Sequence, residues 1–197
     1  MREKNKFLYP YRHSVFLKKL RIQCEAIGTR KKSFQESHLK KIGILFDATV
    51  VEDKYEILEL EKMLQATGAK TTLMGYLDHE ADTAGLSFRH FTNKDRSFYF
   101  IPANNDVDRF LEVDYDMVIN ADLSQSLSLH YLAVLSDAYI KVGPHSEFDE
   151  FYHLVLDTKD TLTIKQYISE LISILNKVCF NGQLMAKRRR DSTGHSI

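Results

Sequence analysis

Five short runs of apolar and branched residues punctuate the chain: KIGILF at 41–46, KTTLMGY at 70–76, YDMVIN at 115–120, AYIKV at 138–142 and YHLVLD at 152–157. Runs apolar at successive positions belong to strands buried on both faces, which is the situation in a parallel sheet covered by helices on either side. Between the first two runs Ile57, Leu60 and Leu64 recur at helical spacing from about Val51 to Thr67, and Gly68 supplies the stop. Strand, helix and strand in so short a stretch predict a right-handed βαβ unit. The alternation then continues. Ser87–Phe91 reads as a short third strand, and Asp106–Val113 as a short helix after Asn104 and Asn105. Asp122, with Gln125 three residues on, reads as the capping box of a helix reaching Leu135. Ile164, Ile168, Leu171, Leu175 and Val178 alternate at spacings of four and three, the mark of a helix lying on a sheet. Together they predict a Rossmann-like three-layer α/β sandwich with a mostly parallel sheet of about six strands.

The chain has 197 residues, of which 44% are hydrophobic, with 8 Gly and 3 Pro, so a real core is expected and a disordered or low-complexity chain is excluded. No apolar run approaches the ~20 residues that span a bilayer, and no secretory signal opens the chain, so a cytoplasmic protein is expected. Cys24 and Cys179 stand in no CxxC or Cys/His spacing, and the eight histidines form no HxH or HExxH pattern. No metal and no cofactor are therefore expected.

Charge is segregated although the totals, 27 basic and 27 acidic residues, cancel. Residues 1–41 carry 12 Lys or Arg against 3 acids, residues 42–186 carry 11 against 23, and residues 187–197 carry 4 against 1. Phe16, Leu20, Cys24 and Ile27, widened by Leu17, form one helical stripe, with Lys18, Lys19 and Arg21 around it and Arg30, Lys31 and Lys32 after Gly28. This predicts a basic amphipathic N-terminal helix within residues 1–39. The Rossmann-like domain follows over 40–182. Lys187, Arg188, Arg189 and Arg190 then lie in a basic tail over 183–197. Basic ends on an acidic body point to a polyanion such as RNA or the ribosome, an anionic membrane surface, or a protein partner. Contact with lipid would make the protein peripheral to a membrane.

Ligands of open parallel sheets bind outside the carboxyl ends of the strands, near the point where strand order reverses. That rule nominates Asp47 and Thr49 after the first strand, Asp78 and His79 after the second, Asn120 and Asp122 after the fourth, and His145 with Ser146 after the fifth. Asp47 and His145 are the candidate bases, and Thr49, Asn120, Asp122 and Ser146 the candidate ligand contacts. Capping and turn roles are the ordinary alternative for Asp47 and Asp122, and a surface turn for His145. No GxGxxG, GxxxxGK[ST] or GxSxG pattern is present, and Ser124, Ser126 and Ser128 fall in the predicted helix, scattered around it. Phe98, Tyr99 and Phe100 beside Lys94 and Arg96 read as a hydrophobic anchor or as a surface for stacking bases.

The segment YDMVINADLSQSLSLHYLAVLSDAYIKVG at 115–143 resembles the N-terminal half of family 9 glycosyltransferases of the heptosyltransferase type, with KIGILFDA matching in position. That resemblance implies one half of a GT-B fold, with Asp47 nearest to the family's acidic base. A broader likeness, carried by KIGILFDA at 41–48, NKD at 93–95, YDMVINADLS at 115–124 and LSDAYIKVG at 135–143, is to an uncharacterised family of small Bacteroidota proteins. It implies the fold and no activity. The expectation is a noncatalytic α/β binding or adaptor module working through its basic ends. The alternative is a small enzyme or a nucleotide- or sugar-binding domain with its site at the strand ends.

Overall fold

The first apolar run becomes strand β1 (Lys41–Asp47), whose side chains alternate between two cores: Ile42, Ile44 and Phe46 enter one, Leu45 the other. A strand this apolar on both faces needs cover on both, and the rest of the chain provides it. The computed structural model describes residues 7–27, 39–78, 86–157 and 163–178. Its strands β2 (Lys70–Leu77), β3 (Arg89–Thr92), β4 (Tyr115–Asn120), β5 (Ala138–Pro144) and β6 (Leu154–Leu156) join β1 in one sheet of order β3-β2-β1-β4-β5-β6. All five pairings are parallel, with Ile44 opposite both Leu73 and Ile119. Strand order runs outward from β1 to β3 and then restarts on the other side of β1 with β4, so the reversal falls between β1 and β4.

Helices α2 (Val51–Gln65) and α5 (Ile164–Val178) cover one face, burying Ile57, Leu60 and Leu64 beside Ile168, Leu171 and Leu175. Gly68, at φ +93°, ends the first of these in the left-handed region that its lack of a Cβ makes easy. On the opposite face lie α1 (Tyr9–Ile27), α3 (Asn105–Leu111) and α4 (Leu127–Leu135). α4 is mostly apolar and buried from Leu127 to Val134, because the sheet lies beneath it and α1 lies over it. Phe16 and Leu20 are 0% exposed, and the Phe16 ring meets Tyr131 at 6.2 Å and Phe148 at 6.1 Å. The Tyr131 hydroxyl donates to Gln23 Oε1. The helix of the basic N-terminal segment thus shares a core with the sheet.

Three local expectations need correcting, the first being the last strand, which spans only Leu154–Leu156 and leaves Tyr152 in the turn before it. The third strand starts at Arg89, where pairing with Met74 of β2 begins, while Phe88 packs its ring against Phe46 at 5.2 Å. Ahead of α4 no capping box forms: the helix begins at Leu127 with Ser126 as its N-cap, and Asp122 and Gln125 belong to the turn before it. Ser124 and Ser126 are therefore turn residues, and of the three serines only Ser128 lies within the helix. No helix among the described residues is long and apolar enough to cross a membrane.

Candidate functional site

At the end of β1 the chain turns on Asp47, whose Oδ1 accepts from the Thr49 amide at 2.9 Å. Thr49 Oγ1 in turn accepts from the Asp78 amide at 3.0 Å, lacing the ends of β1 and β2 together. At the end of β4, Asn120 and Asp122 are wholly buried. Asp122 Oδ1 accepts from the Ser124 amide at 2.8 Å and the Ser124 hydroxyl at 2.6 Å, and Oδ2 accepts from the Ser126 amide at 2.6 Å. Those bonds build a turn that places Gln125 at φ +59°, a conformation uncommon outside glycine. Burial raises the Asp122 pKa against the opposing pull of these donors, and the nearby Asp47 charge raises it further.

Behind this turn runs a buried chain of hydrogen bonds with a direction. Asn120 Nδ2 donates to the Tyr152 hydroxyl at 2.9 Å, and that hydroxyl lies 2.8 Å from His130 Nδ1. His130 Nε2 lies 3.1 Å from Gln125 Oε1, and Gln125 Nε2 donates to the His145 carbonyl at 3.2 Å. Gln125 Oε1 can only accept, so His130 carries its proton on Nε2, and Nδ1 accepts from Tyr152. Burial lowers the His130 pKa to about 4, keeping the ring neutral, and it raises the Tyr152 and Tyr167 phenols above their ordinary value. The Tyr167 hydroxyl closes the cluster by donating to the Asn120 carbonyl at 2.9 Å.

His145 itself is exposed and pairs through Nδ1 with Asp149 Oδ2 at 2.6 Å. The Ser146 amide donates to the other oxygen of Asp149 at 2.8 Å, and Ser146 Oγ accepts from the Phe148 amide at 3.1 Å. The nominated residues therefore fall into groups: Asp47 with Thr49, Asp122 within its own turn, Asn120 in the buried chain, and His145 with Ser146 around Asp149. Asp78, tied to Thr49 through its amide, also joins a cluster in which Asn93 Nδ2 donates to Asp78 Oδ1 at 2.8 Å and the Tyr76 hydroxyl faces Asn93 Oδ1 at 2.8 Å. The Asn93 bond, with help from Tyr76 and Arg96, holds the Asp78 carboxyl below its usual range. Arg96 donates to Asn93 Oδ1 and lies over the Tyr76 ring at 4.6 Å. His79 lies outside the described residues.

Sequence reasoning missed His130 and Tyr152. The signal available for His130 was a lone polar ring in the helix LSLHYLAVL, otherwise apolar apart from one serine. For Tyr152, read as part of a strand, none existed.

α1 presents a different surface. Phe16 and Leu20 of its inner stripe are sunk in the core, and Lys18, Lys19 and Arg21 face outward. Arg21 reaches Glu150 at 3.8 Å, whereas Lys18 and Lys19 make no ion pair among the described residues. The Arg12 guanidinium is wedged between the rings of Phe98, 4.5 Å away, and Phe100, 3.9 Å away, and Arg12 Nε donates to the Phe98 carbonyl at 2.6 Å. Of the apolar residues in this part of the chain, Phe7, Tyr11, Ile22 and Phe98 are 95%, 58%, 54% and 50% exposed. Arg30, Lys31, Lys32, Lys187, Arg188, Arg189 and Arg190 lie outside the described residues.

A family model described as a family of unknown function, DUF6913, matches residues 12–178, a span that takes in α1 from Arg12 onward together with the whole sheet. The chain belongs to the DUF6913 family. No curated protein and no solved structure matches it. The α/β sheet and the α1 surface described above are thus parts of one DUF6913 unit.

Proposed function

We propose that this DUF6913 protein is a noncatalytic α/β binding module that contacts a polyanion through the outward face of α1. One observation carries the reading: Phe16 and Leu20 anchor the helix in the core, so that Lys18, Lys19 and Arg21 are displayed on a fixed element rather than folded away. The strand-end groups that acid–base chemistry would need are engaged in bonds that shape turns. Asp122 spends both oxygens on Ser124 and Ser126, and His130 has both ring nitrogens bonded at neutral charge. Cations held in fixed register on a surface attract phosphate or sulfate polymers with a strength that falls as salt rises. The test is heparin affinity chromatography of the full chain beside a Lys18→Gln/Lys19→Gln variant. Retention of the parent chain at low salt, with the variant eluting at lower salt, is expected. Passage of both through the column, or identical elution, overturns the reading.

A second reading rests on one feature of the strand-end cluster. Asn120 Oδ1 and Ser126 Oγ are buried without a hydrogen-bond partner among the described residues, beside the β1/β4 reversal. A small polyol or sugar nucleotide, the ligand class that the likeness to half of a GT-B transferase implies, would supply the missing donors. Thermal-shift screening with such ligands tests it, and a stabilisation that survives in Asn120→Asp counts against it.

A further inference from the structure

The loop Ser97–Ile101 is held closed by the Ser97 amide donating to the Ile101 carbonyl at 2.8 Å and the Phe100 amide donating to the Ser97 carbonyl at 3.0 Å. Ser97 Oγ accepts from the Ile101 amide at 3.2 Å. The closure forces Phe100 to φ +62°, a strained value for a residue with a bulky side chain, and strain of this kind persists where the surroundings over-determine it. Those surroundings are in place. Ser128 Oγ donates to the Phe100 carbonyl at 2.6 Å, and Arg12, 3.9 Å away, and Tyr9, 6.0 Å away, hold the Phe100 ring. With Phe100 fixed inward, Phe98 and Tyr99 are left at the tip. Their rings lie 5.4 Å apart and nearly perpendicular, and Tyr11 of α1 stands 6.4 Å from Tyr99.

Two of the cations here are matched to rings. Arg12 backs Phe98 at 4.5 Å and Lys19 reaches Tyr99 at 5.6 Å, while Phe98 and Tyr11 each keep half or more of their surface in solvent. A partner for such a patch needs negative charge and flat π faces on neighbouring groups. We infer that the Tyr11–Phe98–Tyr99 tip is a stacking platform for unpaired bases of a single-stranded nucleic acid, with Arg12, Lys18 and Lys19 meeting its phosphates. This rests on the polyanion reading above and names the polyanion. A duplex keeps its base faces stacked inside and offers this tip only phosphates. A bilayer fits less well, because inserting Phe98 would carry Arg12, 4.5 Å from its ring, below the headgroups.

The experiment uses the full chain and fluorescence anisotropy with a labelled uridine homopolymer, the matching thymidine homopolymer, and an RNA duplex. Co-sedimentation with phosphatidylcholine/phosphatidylglycerol vesicles and heparin affinity are measured alongside. Phe98→Ala and Phe98→Leu remove the π face without touching a charge, Phe98→Tyr restores it, and thermal melts confirm that each variant is folded. Expected are tighter binding of single strands than of duplex, a loss of about tenfold or more in Phe98→Ala and Phe98→Leu, recovery in Phe98→Tyr, and unchanged heparin elution. Single-strand binding unaffected by Phe98→Ala and Phe98→Leu overturns the stacking platform while leaving the polyanion reading intact. So does binding to anionic vesicles without binding to single strands. Absence of binding to heparin and to both homopolymers overturns the two together.

Discussion

His130 sits inside α4 with both ring nitrogens bonded, and burial brings its pKa to about 4 from an ordinary 6.5. Below 6.5 the unfolded chain binds a proton that the folded chain refuses, so the stability from neutral His130 is complete above 6.5 and is lost as the pH falls toward 4. The full difference amounts to about 3 kcal/mol. His153, lowered by desolvation and by the Lys141 charge, adds in the same direction, so the informative quantity is the difference between the parent chain and His130→Gln. Urea unfolding at about pH 7 and about pH 4.5 should show a flatter pH dependence in the variant, and equal slopes would rule out His130 as a source. At this scale the residues legible in the sequence were those whose place on a strand end declares them, Asn120 and Asp122. Tyr152 was not legible, because it lies 22 residues from His130 and meets it only when the turn before β6 folds over α4.

Gly143 shows how an element seats the buried chain. A Cβ at this position of β5 would stand 2.5 Å from Cε1 of Tyr152, whose hydroxyl lies between Asn120 and His130. Gly143→Ala must therefore displace the ring, and a cost of about 1–3 kcal/mol is expected in thermal unfolding; a melting temperature equal to that of the parent would show that the ring moves freely. The elements most legible from sequence were β4 and α5, whose predicted ends at Tyr115, Asn120, Ile164 and Val178 match the structure. Each carries its own signal, a doubly buried run in one and a strict apolar stripe in the other. The start of β3 was less legible, since pairing with Met74 and not local pattern decides where that strand begins. The Asp122–Gln125 spacing of a capping box was satisfied in sequence and unused in space, because Asp122 found its three donors in the turn ahead of the helix.

For the molecule as a whole, α1 is part of the covering layer of the sheet, and its outward charge depends on that packing. Phe16→Ala, emptying a fully buried site against Tyr131 and Phe148, should cost about 3–5 kcal/mol in urea unfolding, and a loss below about 1 kcal/mol would mean that α1 is loosely held. Removing residues 1–39 should destroy cooperative unfolding, because it strips the outer cover from a helix buried from Leu127 to Val134. A soluble, cooperatively unfolding remainder would show that the sheet does not need this cover. The sequence by itself determined the alternation of strands and helices, the parallel class of the sheet and the segregation of charge, because these reside in periodicity and composition along the chain. The tertiary structure alone decided that the basic helix lies over α4, that His130, Tyr152 and Gln125 join Asn120, and that Arg12 is wedged between Phe98 and Phe100. Most of those contacts join residues far apart in the chain, and no local pattern carries a signal for partners brought together by the packing of the whole.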